Sequence, residues 1–403
     1  MIITRREALA LGIGGALGGF AQARAATEMP GVTKTSVKIG NTMPYSGPAS
    51  SYSNIGKTEA AYFKMINDQG GIHGRMIDFI SLDDSYSPPK TVEQVRRLVE
   101  QDHVAFLFQD LGTPCNSAIV DYCNHNKIPQ LFVGSGASKW SDYKRWPWTI
   151  GWQPSYRTEA QIYTKQMLAE VTNPKLGLLY QNDDFGKDYP LGVRDVLGDR
   201  WDKIVTASLS YETTDPTIES QIDSLKASGA NVILVAAIPK FAAQSIRRVA
   251  SLSWKPRFYL TNVSISVAGV MRPAGVENGV GIISTAYLKD PTDPAWDNDP
   301  GMKEWRAFSA KYMPGFDISD AQLVFGYGIT RTMVQVLRQC GNDLSRENVM
   351  RQSENLHDLD VGVLLPGIKI STSPTDHRPI KAMQLVRWSG KTWERSGSLL
   401  EGV

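Results

Sequence analysis

Ile39-Gly-Asn-Thr-Met-Pro-Tyr-Ser-Gly-Pro48 leads into a helical stretch ending Asn67-Asp-Gln-Gly-Gly-Ile-His-Gly-Arg75, and then into Ile77-Asp-Phe-Ile-Ser-Leu-Asp-Asp84. The order is strand, small-residue loop, helix, glycine-rich turn and strand, the first βαβ unit of an open α/β sheet. Ligands of such sheets sit just beyond the carboxyl ends of the strands. Tyr45-Ser-Gly-Pro48 occupies such a place, so the search for a site starts there.

The alternation continues outward from this unit. Strands are expected over 37–43 and 75–82, with Ile55, Tyr62, Phe63 and Ile66 at helical spacing between them. Val92, Val95, Leu98 and Val99 mark the next helix, Val104–Phe108 a buried strand, Cys115, Ile119, Tyr122 and Cys123 a helix, and Gln130–Val133 a strand. Short apolar strands separated by amphipathic helices imply a mostly parallel sheet with helices on both faces. The stretch 138–156, with four tryptophans and two prolines, breaks the rhythm and reads as a crossing to a second lobe. There the pattern restarts, with a helix over 156–171 and strands at Leu176–Tyr180, Ile204–Leu209, Val232–Ala237 and Phe258–Leu260. Met302, Trp305 and Phe308 share one helical face, and a long helix covers 319–340. Ile368–Ile370 reads as β, and Ala382–Trp388 with the turn to Trp393 reads as a hairpin.

The N-terminus has the charged n-region, short apolar run and small-residue cleavage site of a signal peptide, expected to end near Ala26. Arg5-Arg6 suits a twin-arginine signal or an ordinary secretory one, so the export route stays open. The remaining length suits two domains. With 43 basic against 41 acidic residues and no block of one sign, nothing favours a nucleic-acid or anionic membrane partner. Cys115, Cys123 and Cys340 are too few for a disulfide framework and read as small buried apolar residues. The five histidines lack metal-ligand spacing. Asp83-Asp84 and Asp183-Asp184 at strand ends read as capping or solvated pairs. No metal or cofactor is expected.

Two loops could hold a ligand. In Leu111-Gly112-Thr113-Pro114 a strand passes into a helix, with Thr113 expected as N-cap and Pro114 at N1, so free N–H groups and the positive helix end suit a carboxylate. Gly134-Ser135-Gly136-Ala137-Ser138 follows the next strand, and its small residues let a ligand approach the backbone closely. Thr113 could equally do no more than cap its helix. An exported hydrolase using Ser135 or Ser138 would need a histidine that neither His103 nor His125 supplies, and Val133 breaks the Gly-x-Ser-x-Gly elbow.

Taken together, Ser46-Gly-Pro48, Asn67, Gly70-Gly71, Gly74-Arg75, Asp83, Gly112-Thr113-Pro114 and Asp184-Phe-Gly-Lys187 resemble the leucine/isoleucine/valine-type periplasmic solute-binding proteins of ABC transporters. The resemblance implies an α/β fold of two doubly wound parallel-sheet lobes joined by three hinge crossings, with a ligand in the cleft. Lobe 1 is then 34–151 plus 287–365, and lobe 2 is 152–286 plus 366–403. It also implies a monomeric, non-enzymatic periplasmic protein that serves an inner-membrane permease. By position, Tyr52 packs on the ligand, and Leu111, Gly112, Thr113, Ser135, Gly136 and Ala137 hold its carboxylate. Phe185, Ala237, Ile238, Pro239, Asn262 and Ser264 close over it from the second lobe. Amino-acid binders of this family place an acid after the strand matching Phe258–Leu260 to pair the α-ammonium, whereas this chain has Thr261-Asn-Val-Ser264. An ammonium buried without a charge partner is costly, so an aromatic or other apolar carboxylate is expected ahead of leucine or valine. Branched-chain amino-acid or amide binding, and ligand sensing on the same fold, remain alternatives.

Overall fold

Val37, Ile39 and Met43 are the apolar anchors of the first strand, and all three are buried. The computed structural model describes residues 29–402, so the expected signal peptide lies outside the described residues. Strand β1 (Ser36–Met43) runs parallel to β2 (Met76–Asp83), with Ile39 opposite Phe79 and Met43 opposite Asp83. Between them α1 (Ser53–Asp68) buries Ile55, Tyr62, Phe63 and Ile66, the expected stripe. Its exit needs glycine at 71: φ is +74°, and a Cβ there would lie 2.0 Å from the Arg75 carbonyl oxygen. After α2 (Pro88–Arg96) come β3 (Phe106–Phe108), α3 (Thr113–His125) and β4 (Gln130–Leu131), completing a parallel sheet in the order β2-β1-β3-β4. The fourth strand is shorter than the expected Gln130–Val133 because Phe132 turns to φ +51°, which ends the extended backbone.

The second lobe follows the same plan. Helix α4 (Tyr156–Glu170), β5 (Leu176–Gln181), α5 (Asp184–Leu197), the single-turn α6 (Trp201–Ile204), β6 (Val205–Tyr211), α7 (Glu219–Ala227), β7 (Val232–Ala236), α8 (Pro239–Ser251) and β8 (Arg257–Leu260) alternate as anticipated. The short α9 (Arg272–Ala274) precedes β9 (Ile283–Ala286). The chain then returns to the first lobe for α10 (Pro300–Tyr312), α11 (Ala321–Cys340) and α12 (Arg346–Ser353). Gly326 lets α11 lie directly on α1, since a Cβ would come within 2.9 Å of the Ile55 carbonyl oxygen, and Tyr62, Phe308 and Tyr327 pack as a ring cluster beside it. A last pass carries the chain back to β10 (Met383–Trp388) and β11 (Trp393–Leu400). The second sheet is ordered β11-β10-β9-β8-β7-β5-β6, parallel from β5 to β9 and antiparallel through the terminal hairpin.

Ile368–Ile370, expected as β, joins neither sheet. Ile370 pairs only with Leu359 in an isolated bridge, because this segment belongs to the return path and meets no sheet edge. The three cysteines are buried and unbridged. No described helix is long and apolar enough to cross a membrane.

Candidate functional site

The strand ends of the first sheet build one wall of a cleft. β3 and β4 are neighbours, so the loops that leave them meet: Gly112 N–H donates to the Gly134 carbonyl at 3.0 Å, and Gly134 N–H to the Asp110 carbonyl at 2.9 Å. Gly112, not Thr113, is the N-cap of α3; it sits at φ +102°, and a Cβ would lie 2.4 Å from the Tyr86 ring. Thr113 is therefore the first helical residue, and no side chain caps the helix. Its hydroxyl meets that of Ser135 at 2.6 Å, and Ser135 Oγ also accepts from Trp140 Nε1 at 2.8 Å. Ser138, the other hydrolase candidate, donates its hydroxyl to Asp188.

The opposite wall comes from the second sheet. Asp183 caps α5 by accepting from Phe185 and Gly186 N–H, which sets the Phe185 ring against Tyr156 at 4.8 Å. Tyr156 Oη in turn accepts from Gln153 Nε2 at 3.0 Å. Beneath the loop after β8 lies Glu159 of α4, fully buried. One carboxylate oxygen takes Asn262 N–H at 2.8 Å, Thr285 Oγ1 at 2.7 Å and Tyr163 Oη; the other takes the Tyr189 hydroxyl. Burial pushes its pKa up and these donors pull it back. The lobes meet across the cleft through Tyr52 Oη to Val263 O at 3.1 Å, Ser266 Oγ to Asp320 Oδ1 at 2.8 Å, and Lys139 Nζ to Asp184 at 3.1 Å. These three contacts bridge the two walls.

Between the walls lies a cavity of about 100 Å³, of the same order as the ~150 Å³ cavity that accepts benzene in an apolar core. Its lining is mainly aromatic and aliphatic: Tyr52, Ile55, Tyr86, Tyr156, Phe185, Ile238, Val263, Tyr287 and Phe325. Burial raises the Tyr52, Tyr86 and Tyr156 hydroxyls, so they remain neutral donors. Two lining amides carry buried atoms without a protein partner, Gln109 through Nε2 and Oε1 and Asn262 through Nδ2. Gln109 also holds φ +58°, a conformation side-chain-bearing residues rarely adopt. The lining carboxylates are Asp290 and Asp293, in the segment that follows β9. Glu159, saturated with donors, is not part of the lining.

Of the residues anticipated from sequence, Tyr52, Leu111, Gly112, Thr113, Phe185, Ile238 and Asn262 converge on this cavity. Ser135, Gly136 and Ala137 instead line a separate polar cavity with His377 and Arg378, on the far side of the Gly134 loop. Ala237, Pro239 and Ser264 are buried behind the lining, with Ser264 Oγ donating to the Ala237 carbonyl at 2.6 Å. Ser46 and Tyr45 also turn away from the cavity, bonding Asp83 and Ser81. Gln109, Tyr86, Gln153, Tyr156, Tyr287 and Phe325 were not anticipated. For Tyr86 the one available signal is its place two residues past Asp84, whose carboxylate fixes the Tyr86 N–H at 2.9 Å.

A family model described as periplasmic binding protein matches residues 36–392. Leu/Ile/Val-binding protein homolog 1 of Brucella suis biovar 1 (strain 1330) is 24% identical over 319 residues, which covers 77% of this chain and 80% of the relative. A branched chain amino acid ABC transporter structure from Thermus thermophilus with bound valine superposes with a TM-score of 0.81 at 13% identity, over 92% of this chain and 98% of that one. An ABC transporter solute binding protein from R. palustris in complex with 4-hydroxybenzoate superposes with a TM-score of 0.75 at 14% identity, over 91% and 97%.

Proposed function

The chain belongs to the periplasmic binding protein family, and on that premise we propose that it is the exported solute-binding component of an ABC importer, with an aromatic or other apolar carboxylate as its cargo. The observation that carries this reading is the composition of the cleft. Its core is apolar and aromatic, its polar atoms in want of partners are the neutral amides of Gln109 and Asn262, and no carboxylate lines it at the Thr113 end. An α-ammonium placed there would be desolvated without a counter-charge. A carboxylate fares better: the uncapped start of the 13-residue helix α3 and the Thr113 hydroxyl supply positive potential and a donor. The ring or chain of the acid then lies between Tyr52, Tyr156 and Phe185. The fold accommodates such cargo in the R. palustris protein, which holds 4-hydroxybenzoate.

Closure follows from ligand contacts made to both walls at once, since a ligand shifts an equilibrium only by its differential affinity for the two states. Isothermal titration of the protein with benzoate, cinnamate, leucine and valine tests the reading. Binding of the acids with weak or absent binding of the amino acids is expected; tight leucine binding without acid binding would falsify it.

A further inference from the structure

The cavity lining also takes in Leu288 and Trp296 after β9 and Trp393 and Arg395 from the terminal strand. Its charged groups differ in how far they are already committed. Lys289 Nζ is held by Asp299 Oδ1 and the Gly362 carbonyl, both at 2.8 Å. Asp290 accepts from Thr392 Oγ1 at 2.9 Å and Trp393 N–H at 3.1 Å, and Asp293 accepts from Ala295 N–H at 2.9 Å. Arg395 has no carboxylate within 4.0 Å among the described residues; its guanidinium lies on the Trp296 ring, 4.3 Å from the centroid. A guanidinium stacked on an indole face keeps its N–H edge for a planar acceptor such as a carboxylate.

We propose that these residues form a second subsite, which pairs a second carboxylate of the cargo with Arg395, so that the preferred cargo is a dicarboxylate with an apolar or aromatic body. The inference rests on the reading that the first carboxylate sits at Thr113. The chemical groups of the lining suit such a molecule: a donor-rich helix start at Thr113, an apolar surface that includes Phe325 and Tyr287, and one uncommitted cation, Arg395. The Thr113 end has no such cation, so the two ends are recognised by different means. Because Arg395 is exposed, its pair with the ligand is partly screened and adds discrimination of about two- to fivefold rather than most of the affinity.

Titration of the protein and of Arg395→Gln with benzoate, cinnamate, terephthalate, 4-carboxycinnamate and azelate tests the subsite. At least one dicarboxylate is expected to bind about two- to fivefold tighter than its mono-acid, an advantage that shrinks in 0.5 M salt and vanishes in Arg395→Gln, while mono-acid binding is unchanged. If mono-acids bind and no dicarboxylate binds tighter, the subsite is wrong and the first reading stands. Equal weakening of mono- and dicarboxylates by Arg395→Gln also overturns it. If none of the acids binds, both readings fall together.

Discussion

The Tyr52 hydroxyl donates to the Val263 carbonyl at 3.1 Å, so a side chain that precedes α1 fastens the loop that follows β8 in the other lobe. The same ring lines the cavity. One residue thus lines the cavity and bridges the two lobes.

Tyr52→Phe keeps the ring and removes the bridge. A neutral hydrogen bond of this kind is worth about 0.5–1.5 kcal/mol, so ligand affinity should fall about two- to tenfold. The unliganded protein should also sample open states more, seen as a larger radius of gyration by small-angle scattering. An unchanged affinity and radius would show that the bridge plays no part in closure.

Thr113→Val preserves shape and deletes the hydroxyl, while Ser135 Oγ keeps Trp140 Nε1 as a partner. Loss of a bond to a buried carboxylate costs about 1.5–3 kcal/mol, roughly a ten- to hundredfold loss of acid affinity by titration calorimetry. If acids bind the variant as well as the parent, the carboxylate lies elsewhere.

Gln109 is strained at φ +58° and carries two buried polar atoms without partners. A left-handed conformation costs a non-glycine residue about 1–2 kcal/mol. Gln109→Gly should therefore leave the unliganded melting temperature unchanged or higher while weakening ligand binding. A variant that melts well below the parent and binds normally would contradict a binding role for this amide.

Burial pushes the Asp110 carboxyl up to about 7, against the two bonds it accepts from Thr42. Asp84 adds to the rise, and Glu59 of α1, itself buried and raised, is coupled to Asp110. With the folded pKa above the unfolded value, the folded state holds a proton that the unfolded chain has released. The resulting stability is fully present below pH ~4 and is lost as pH rises through about 7, on the order of 4 kcal/mol in total. Asp110→Asn keeps an acceptor for Thr42 and has no charge to lose. Its melting temperature should match the parent near pH 4 and exceed it increasingly up to pH 8, and a constant difference across that range would refute the assignment.

Much of the fold is legible from local pattern. Strand β1 with the stripe Ile55, Tyr62, Phe63 and Ile66 is a periodicity confined to short stretches of chain, and tertiary packing only has to accept it. The tryptophan-rich crossing is also visible from composition, and Trp152 there is buried with its Nε1 donating to Thr332 of α11. Ile368–Ile370 has the same apolar look as a strand, but no sheet edge comes near it.

The site is less legible, and particular residues show why. The Thr113 loop is announced by Gly112 and Pro114, since backbone chemistry at a helix start is local. Ser135 sits in an equally suggestive loop, yet its hydroxyl is spent on Thr113 and Trp140 and it lines a different cavity. Gln109 and Tyr86 belong to no periodic pattern. What places them in the lining is a left-handed backbone and neighbours far along the chain.

By itself, then, the sequence determines the two-lobed α/β plan, the strand-to-helix loop that opens α3 and the absence of an acid after β8, because helix and strand periods and turn glycines act over a few residues. Only the tertiary structure decides that Glu159 is consumed beneath Asn262, that Gln109 faces the cavity with free polar atoms, and that Arg395 joins the same lining. Each of those depends on residues brought together from distant parts of the chain, such as Glu159 with Asn262 and Trp296 with Arg395, which no local preference encodes.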